Sequence, residues 1–233
     1  MKISAFAISE ITLGLHNVKE ARLDQVDKLV LAKKKTYPKV ELVGQDGALE
    51  ADAIIIPLDA KMDLILHDLD FVETRLAKAP AENEKVILNK IKGALEKEEF
   101  ISTLGLTTPE KELISGYGLF TLKPIVVIKK EELIDPGTLL ARVLAESKYI
   151  CFLTVGDKEN RAWLIKQGTR AWEAAGVIHS DIQQGFIRAE IISFADFIAC
   201  GGETQSKQAG KMRLEQKDYI MQDADLVNFR FNK

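Results

Sequence analysis

A chain of 233 residues with 32 Lys and Arg against 35 Asp and Glu has a formal net charge of −3, which gives no general attraction to nucleic acid or an anionic membrane. Its length allows one large domain or two to three small ones, and 46% hydrophobic with 29% charged residues is the balance of a globular protein. No run approaches the roughly 18 apolar residues that cross a bilayer, MKISAFAIS has too short an apolar stretch for a secretory signal, and Cys151 and Cys200 form no CxxC pair. These readings place the chain in the cytoplasm with reduced thiols.

KISAFAI alternates apolar and polar residues and predicts a first strand. Between Asn17 and Lys35, Val18, Leu23, Val26, Leu29 and Val30 give a helical stripe that runs into the basic Lys33, Lys34 and Lys35. Pro38 favours an extended entry into KVELV, a second strand. After the turn-like GQDG, ADAIIIPL is nearly continuous in apolar residues, as in a strand buried on both faces of a parallel sheet. Ile65, Leu69, Val72 and Leu76 repeat at helical spacing, as do Leu88, Ile91 and Leu95, with a break at residues 80–83. That pattern predicts an antiparallel helical hairpin. Thr108 is read as the N-cap of a further helix with Pro109 and Glu110 in its first turn. KPIVVI is another buried strand, and Asp135, Pro136 and Gly137 form the best linker. Short apolar strands separated by helices argue for α/β.

Further on, RAWLI alternates as a strand before a turn at Gly168. Thr169 is read as the cap of a helix through Trp172 and Ala175 that stops at Gly176. Phe186 to Ile192 is a buried strand, and DYIMQDADLVNFRF gives a short strand, a turn at Asp223 to Asp225 and a last strand. Strands wrapped around one helix suggest a β-grasp.

The phrases RAWLIKQGT, AAGVIHSDIQQGFIRAEII, DFIACGGE, KQAGKMRLEQKDYIMQDAD and NFRFN run through residues 149–231. On them, this part of the chain closely resembles the C-terminal TGS domain of the YchF group of Obg-related P-loop NTPases. Upstream, DLDFVETRL and LTTPEKELISGYGLFTLKPIVV look like the helical arm and return strand of that group, EARLDQVDKLV and KVELVGQDG resemble its region before and around the switch motif, and ADAIII resembles the strand that follows. The resemblance implies an α/β chain (α+β overall) in three parts. They are a degenerate remnant of a parallel G-domain-like sheet at residues 1–62 and 116–147, a helical hairpin insertion at 63–115 and a TGS-like β-grasp domain at 148–233. For that last domain it implies a regulatory or RNA- and ribosome-contacting role.

A P-loop requires G-x-x-x-x-G-K-[ST], whose amides and lysine hold the phosphates while the hydroxyl holds Mg²⁺. The nearest text is GLHNV, followed by Lys19, Glu20 and Ala21 in place of a glycine and a Lys–Ser/Thr pair. Gly44 stands where the family's D-x-x-G has its Asp, with Gly47 retained, and Lys130 and Leu133 stand at its N-x-x-E. Missing phosphate, magnesium and base motifs lead to the expectation of a protein that is not an enzyme, has no catalytic, cofactor or metal residues and has lost nucleotide binding.

His16, His67 and His179 have no partner at metal-ligand spacing. Trp163 and Trp172 can stack on a base, but core packing explains aromatics in a strand and a short helix. Residues 148–233 hold 12 Lys and Arg against 11 Asp and Glu, so an RNA contact needs a local patch. The candidate interaction surface is His179, Arg188, Lys207, Lys211 and Arg213. Three readings follow. The leading one is a non-catalytic binding protein acting through its TGS-like domain on RNA, the ribosome or a protein partner. The others are a nucleotide-binding protein or weak ATPase or GTPase with a rebuilt pocket, and a small-ligand sensor built around His179. Nothing points to DNA or to a membrane.

Overall fold

The apolar runs of the N-terminal half become parallel strands. In the computed structural model, which describes residues 1–232, β1 (Lys2–Ala5), β2 (Gly14–Asn17), β4 (Lys39–Val43), β5 (Ala53–Pro57) and β6 (Ile125–Ile128) form a sheet in the order β2-β4-β1-β5-β6. β1 is parallel to β4 and β5, and β5 to β6. Every residue of β5 is buried, which is why its sequence is apolar throughout rather than alternating.

The predicted hairpin is α2 (Lys61–Ala77) against α3 (Glu82–Leu95). Its two stripes close one core around Ile65, Val72, Leu88 and Ile91. Glu84 accepts from Arg75 Nε at 2.5 Å and from the Tyr117 hydroxyl at 2.5 Å, tying the two helices to the chain that follows. α4 (Thr108–Ile114) is capped by Thr107, one residue before the expected Thr108. Glu110 takes the Thr107 amide at 2.7 Å, and that bond, with Lys90 beside it, holds the Glu110 carboxyl down at about 2. The Asp135–Pro136–Gly137 stretch lies just ahead of the boundary between two compact units at Leu139 and Leu140, as a linker would, but it is not an extended connection. It opens α5 (Pro136–Glu146), because the Asp135 carboxylate accepts from the Thr138 amide and hydroxyl at 3.2 and 2.6 Å and proline suits a first helical turn.

The second sheet has six strands in the order β10-β9-β11-β7-β8-β3. They are β3 (Lys35–Thr36), β7 (Tyr149–Thr154), β8 (Asn160–Lys166), β9 (Phe186–Ile192), β10 (Arg213–Glu215) and β11 (Leu226–Phe231). β7 and β8 form an antiparallel hairpin, while β11 lies parallel to β7 and antiparallel to β9. This is the β-grasp arrangement. The pleat sends Phe152, Ala189, Ile191, Val227 and Phe229 to one core, with α6 (Ala171–Ile178) and α7 (Ser180–Gln184) near it. It sends Cys151, Leu153, Ile192 and Leu226 to another, with α1 (Ala21–Leu29) and α8 (Phe194–Cys200). A last helix, α9 (Glu203–Gln208), follows α8. α6 is capped at Arg170, not Thr169, and runs past Gly176.

The chain falls into two units. Met1–His16 and Val40–Leu139 make unit 1; Asn17–Lys39 and the chain from Leu140 onward make unit 2. The sequence boundaries put residues 17–39 with the N-terminal sheet, but they belong to unit 2. Leu23 and Val26 of α1 are fully buried in the second of its cores, and β3 pairs with β8 at Lys35↔Asn160. No helix is long and apolar enough to cross a membrane among the described residues.

Candidate functional site

Parallel strands end on one side of their sheet, and in open α/β sheets the crevice at those ends is where ligands sit. In unit 1, the segment leaving β1, the turn Leu58–Ala60 after β5 and the turn Lys130–Ile134 after β6 enclose a cavity of about 300 Å³. Glu10, Asp59, Asp63, Lys130 and Leu133 line it. The Glu10 carboxyl is held low, first by its own backbone amide and then by the Ser9 hydroxyl and amide. GLHN, the text nearest to a P-loop, is not at this place; it forms the edge strand β2. The segment that does leave β1 offers Ser9 and Thr12 hydroxyls but no lysine, so it does not fit the lysine and paired hydroxyl that hold phosphate and Mg²⁺ in a P-loop. Gly44 caps the short turn Gln45–Gly47. The described residues contain no group of His, Cys, Asp and Glu that could hold a metal ion.

In unit 2 the five candidate side chains do not share one surface. His179 sits between α6 and α7, where its Nδ1 accepts from the Asp181 amide at 3.1 Å and caps α7. Arg188 is exposed on β9 opposite Arg230 of β11. Lys207 pairs with Glu203 at 2.6 Å and Lys211 with Asp196 at 3.1 Å. Arg213 pairs with Ile191 in the register of β10 and β9, which turns it to the opposite face from Arg188. There it meets the Tyr219 hydroxyl at 3.0 Å and Asp225 at 3.7 Å. Lys207, Lys211 and Arg213 are each paired with an acid, and Arg213 lies on the opposite face of the sheet from Arg188. Trp163 stacks on Phe152 and donates to the Thr154 hydroxyl at 2.9 Å, whereas Trp172 is exposed rather than in the core.

Two adjoining cavities lie beside β11. One of about 350 Å³ is lined by Val155, Ile178, Glu190, Glu203 and Phe229 among others. The second, of about 850 Å³, is lined by His179, Asp181, Gly185 and Asn232, and Ile182 and Phe231 border both. At Gly185 a side chain is excluded by close approach, because an added Cβ would lie 1.9 Å from the Asn232 carbonyl oxygen. The sensor reading looks for a pocket around His179, and the larger cavity of this trough has His179 in its lining; sequence reasoning missed the smaller cavity and the acidic pair Asp59 and Asp63. Only the position of those acids just past the run AIIIPL could have signalled them.

Comparison with known proteins bears on both sites. Residues 149–232 match the family model YchF-GTPase_C, described as a protein of unknown function (DUF933). A ribosome-binding ATPase YchF of Bacillus subtilis is 28% identical over 288 aligned positions covering 94% of this chain and 77% of that protein. Its counterpart in Haemophilus influenzae is 40% identical over 139 positions, covering 59% of this chain but only 31% of that protein. Among solved structures, the YchF GTPase of Schizosaccharomyces pombe superposes with a TM-score of 0.77 at 18% identity, covering 98% of this chain and 97% of that one. The expectation that the chain is not an enzyme is overturned by these findings, since a relative aligned along nearly all of it is named an ATPase and its fold is that of a YchF GTPase. Loss of a motif removes one way of holding phosphate; it does not by itself decide the chemistry. Family model, relatives and fold agree: residues 149–232 match the C-terminal model of the YchF group, and the similarity to YchF proteins runs along nearly all of the chain.

Proposed function

We propose that the chain is a ribosome-binding protein of the YchF type that meets the ribosome through unit 2. The observation that carries this reading is the place of the family match, residues 149–232, which lies wholly within unit 2. The relatives named ribosome-binding ATPases supply the partner, and a ribosomal partner puts the chain in the cytoplasm. Their names also bring nucleotide hydrolysis. In this fold the cavity at the C-terminal ends of β1, β5 and β6 is where a nucleotide would sit.

The test is sedimentation of the full chain with purified ribosomes through a sucrose cushion, without nucleotide and with ATP or GTP, while phosphate release is followed in parallel. Saturable co-pelleting supports the reading. A chain that stays in the supernatant under every condition overturns it. Phosphate release that Asp63→Ala or Lys130→Ala abolishes, with the fold intact by circular dichroism, locates turnover at the strand-end cavity.

A further inference from the structure

We propose that unit 2 takes up an extended, basic segment of a partner protein as an added strand beside β11. The proposal rests on the ribosome-binding reading only for the source of that segment; the site itself is argued from main-chain geometry.

β7 and β11 run parallel in the register Leu226↔Leu153, and the Leu153 amide donates to the Asp225 carbonyl at 2.8 Å. β7 ends at Thr154, whereas β11 continues to Phe231. Successive residues of a strand aim their peptide groups at opposite neighbours. The Val227 carbonyl and both peptide groups of Phe229 therefore face the side on which β7 has already stopped. On the other side β9 pairs with β11 along its length, through Asn228↔Glu190 and Arg230↔Arg188. Among the described residues, no hydrogen bond reaches Phe229 from the open side. An unpaired row of donors and acceptors is a template for one more strand.

The trough occupies that gap. Val155, Ile178, Ile182, Phe229 and Phe231 give it apolar walls, which suit the alternate side chains of an extended peptide. The charged groups that line it are the carboxylates Glu190, Glu203 and Asp181, and no Lys or Arg does so. Arg230 and Lys207 pair with the first two at 2.9 and 2.6 Å without lining the cavity. Such a wall repels a phosphate backbone and is complementary to Lys and Arg. The occupant is accordingly a basic protein segment and not RNA.

The experiment is fluorescence anisotropy on the full chain with a short labelled peptide of alternating Lys and Val. Its comparisons are the same peptide N-methylated at each Val, an alternating Glu and Val peptide, and poly-uridine RNA. Saturable binding of the Lys–Val peptide is expected, weakened about tenfold or more by N-methylation and by charge reversal. Glu203→Lys, on the short surface helix α9, is expected to weaken it about tenfold with an unchanged melting temperature. Failure of the Lys–Val peptide to bind, equal binding of the N-methylated peptide, or preferential binding of the RNA overturns the proposal. Ribosome co-pelleting without peptide binding sinks this inference and leaves the ribosome reading standing. Peptide binding without co-pelleting supports the strand site and removes only its ribosomal source.

Discussion

Asp68 shows how much one side chain can hold in unit 1. It is fully buried on α2, and its oxygens accept from the Phe120 amide at 3.0 Å and from the Thr121 amide and hydroxyl at 2.7 Å each. Asp68→Ala leaves these donors without a partner in the interior, at a cost of about 3 kcal/mol. The measurement is a urea titration, in which the midpoint should fall while the slope stays constant. A loss within the scatter of surface substitutions would show that water replaces the carboxylate. Cys151 makes a separate case in unit 2. Burial first, and then the Glu20 carboxylate, push its thiol up to about 12. An unfolded thiol ionises near about 8.5, so above that pH the unfolded chain binds fewer protons than the native one and stability falls as pH rises. Between pH 8.5 and 10 the loss from this group is about 2 kcal/mol. Chemical denaturation of the wild type and Cys151→Ala across that range should show the difference, since lysines and tyrosines titrate in both. Parallel pH profiles for the two proteins would remove the thiol from the account.

At the scale of elements, the unexpected feature is that residues 17–39 complete the β-grasp unit. α1 lays Leu23 and Val26 against Leu153, Ile192, Phe197 and Leu226. Asn160, fully buried on β8, donates to Asp27 Oδ1 at 2.8 Å and to the Val30 carbonyl at 2.6 Å. Arg22 reaches Asp223 at 2.6 Å while also binding Glu20, and the Glu20 hydrogen bond keeps its guanidinium firmly charged. Burying two such aliphatic side chains contributes about 3–6 kcal/mol, comparable with the whole stability of a small domain. A fragment of residues 148–233 is therefore expected to bind ANS and to lack a cooperative melt, and a synthetic peptide of residues 17–39 should restore both. A cooperative melt for the fragment alone would show that α1 is dispensable. The sequence could not display this. The stripe of Leu23 and Val26 shows that the helix buries a face, but the identity of the facing surface depends on contacts more than a hundred residues away. By contrast, β5 and the α2–α3 hairpin were legible because their burial is written locally, in AIIIP and in repeats of three and four. The part of the trough beside the end of β7 was not legible either. It arises from the length of β7 against that of β11, which only the register reveals.

At the scale of the whole molecule, charge distribution decides what kind of ribosome contact is available. The net charge is −3, and three cations of the candidate surface are paired with acids at 2.6 Å for Lys207, 3.1 Å for Lys211 and 3.7 Å for Arg213. A protein that neutralises phosphates releases counterions, and the logarithm of its affinity falls with the logarithm of salt by about 0.7–0.9 per phosphate. A unit that met ribosomal RNA with the four candidate cations, Arg188, Lys207, Lys211 and Arg213, would show a slope of about −3. If instead the contact is a protein strand held by peptide hydrogen bonds and apolar side chains, only the lysines or arginines of that strand are screened, and the slope is about −1 to −2. Ribosome co-sedimentation of the full chain over a potassium chloride series distinguishes the two. A steep slope that Arg188→Ala reduces by about 1 would move the contact onto the open face of β9 and β11 and onto RNA. A shallow slope that Arg188→Ala leaves alone, with affinity lost in Glu203→Lys, would place the contact in the trough.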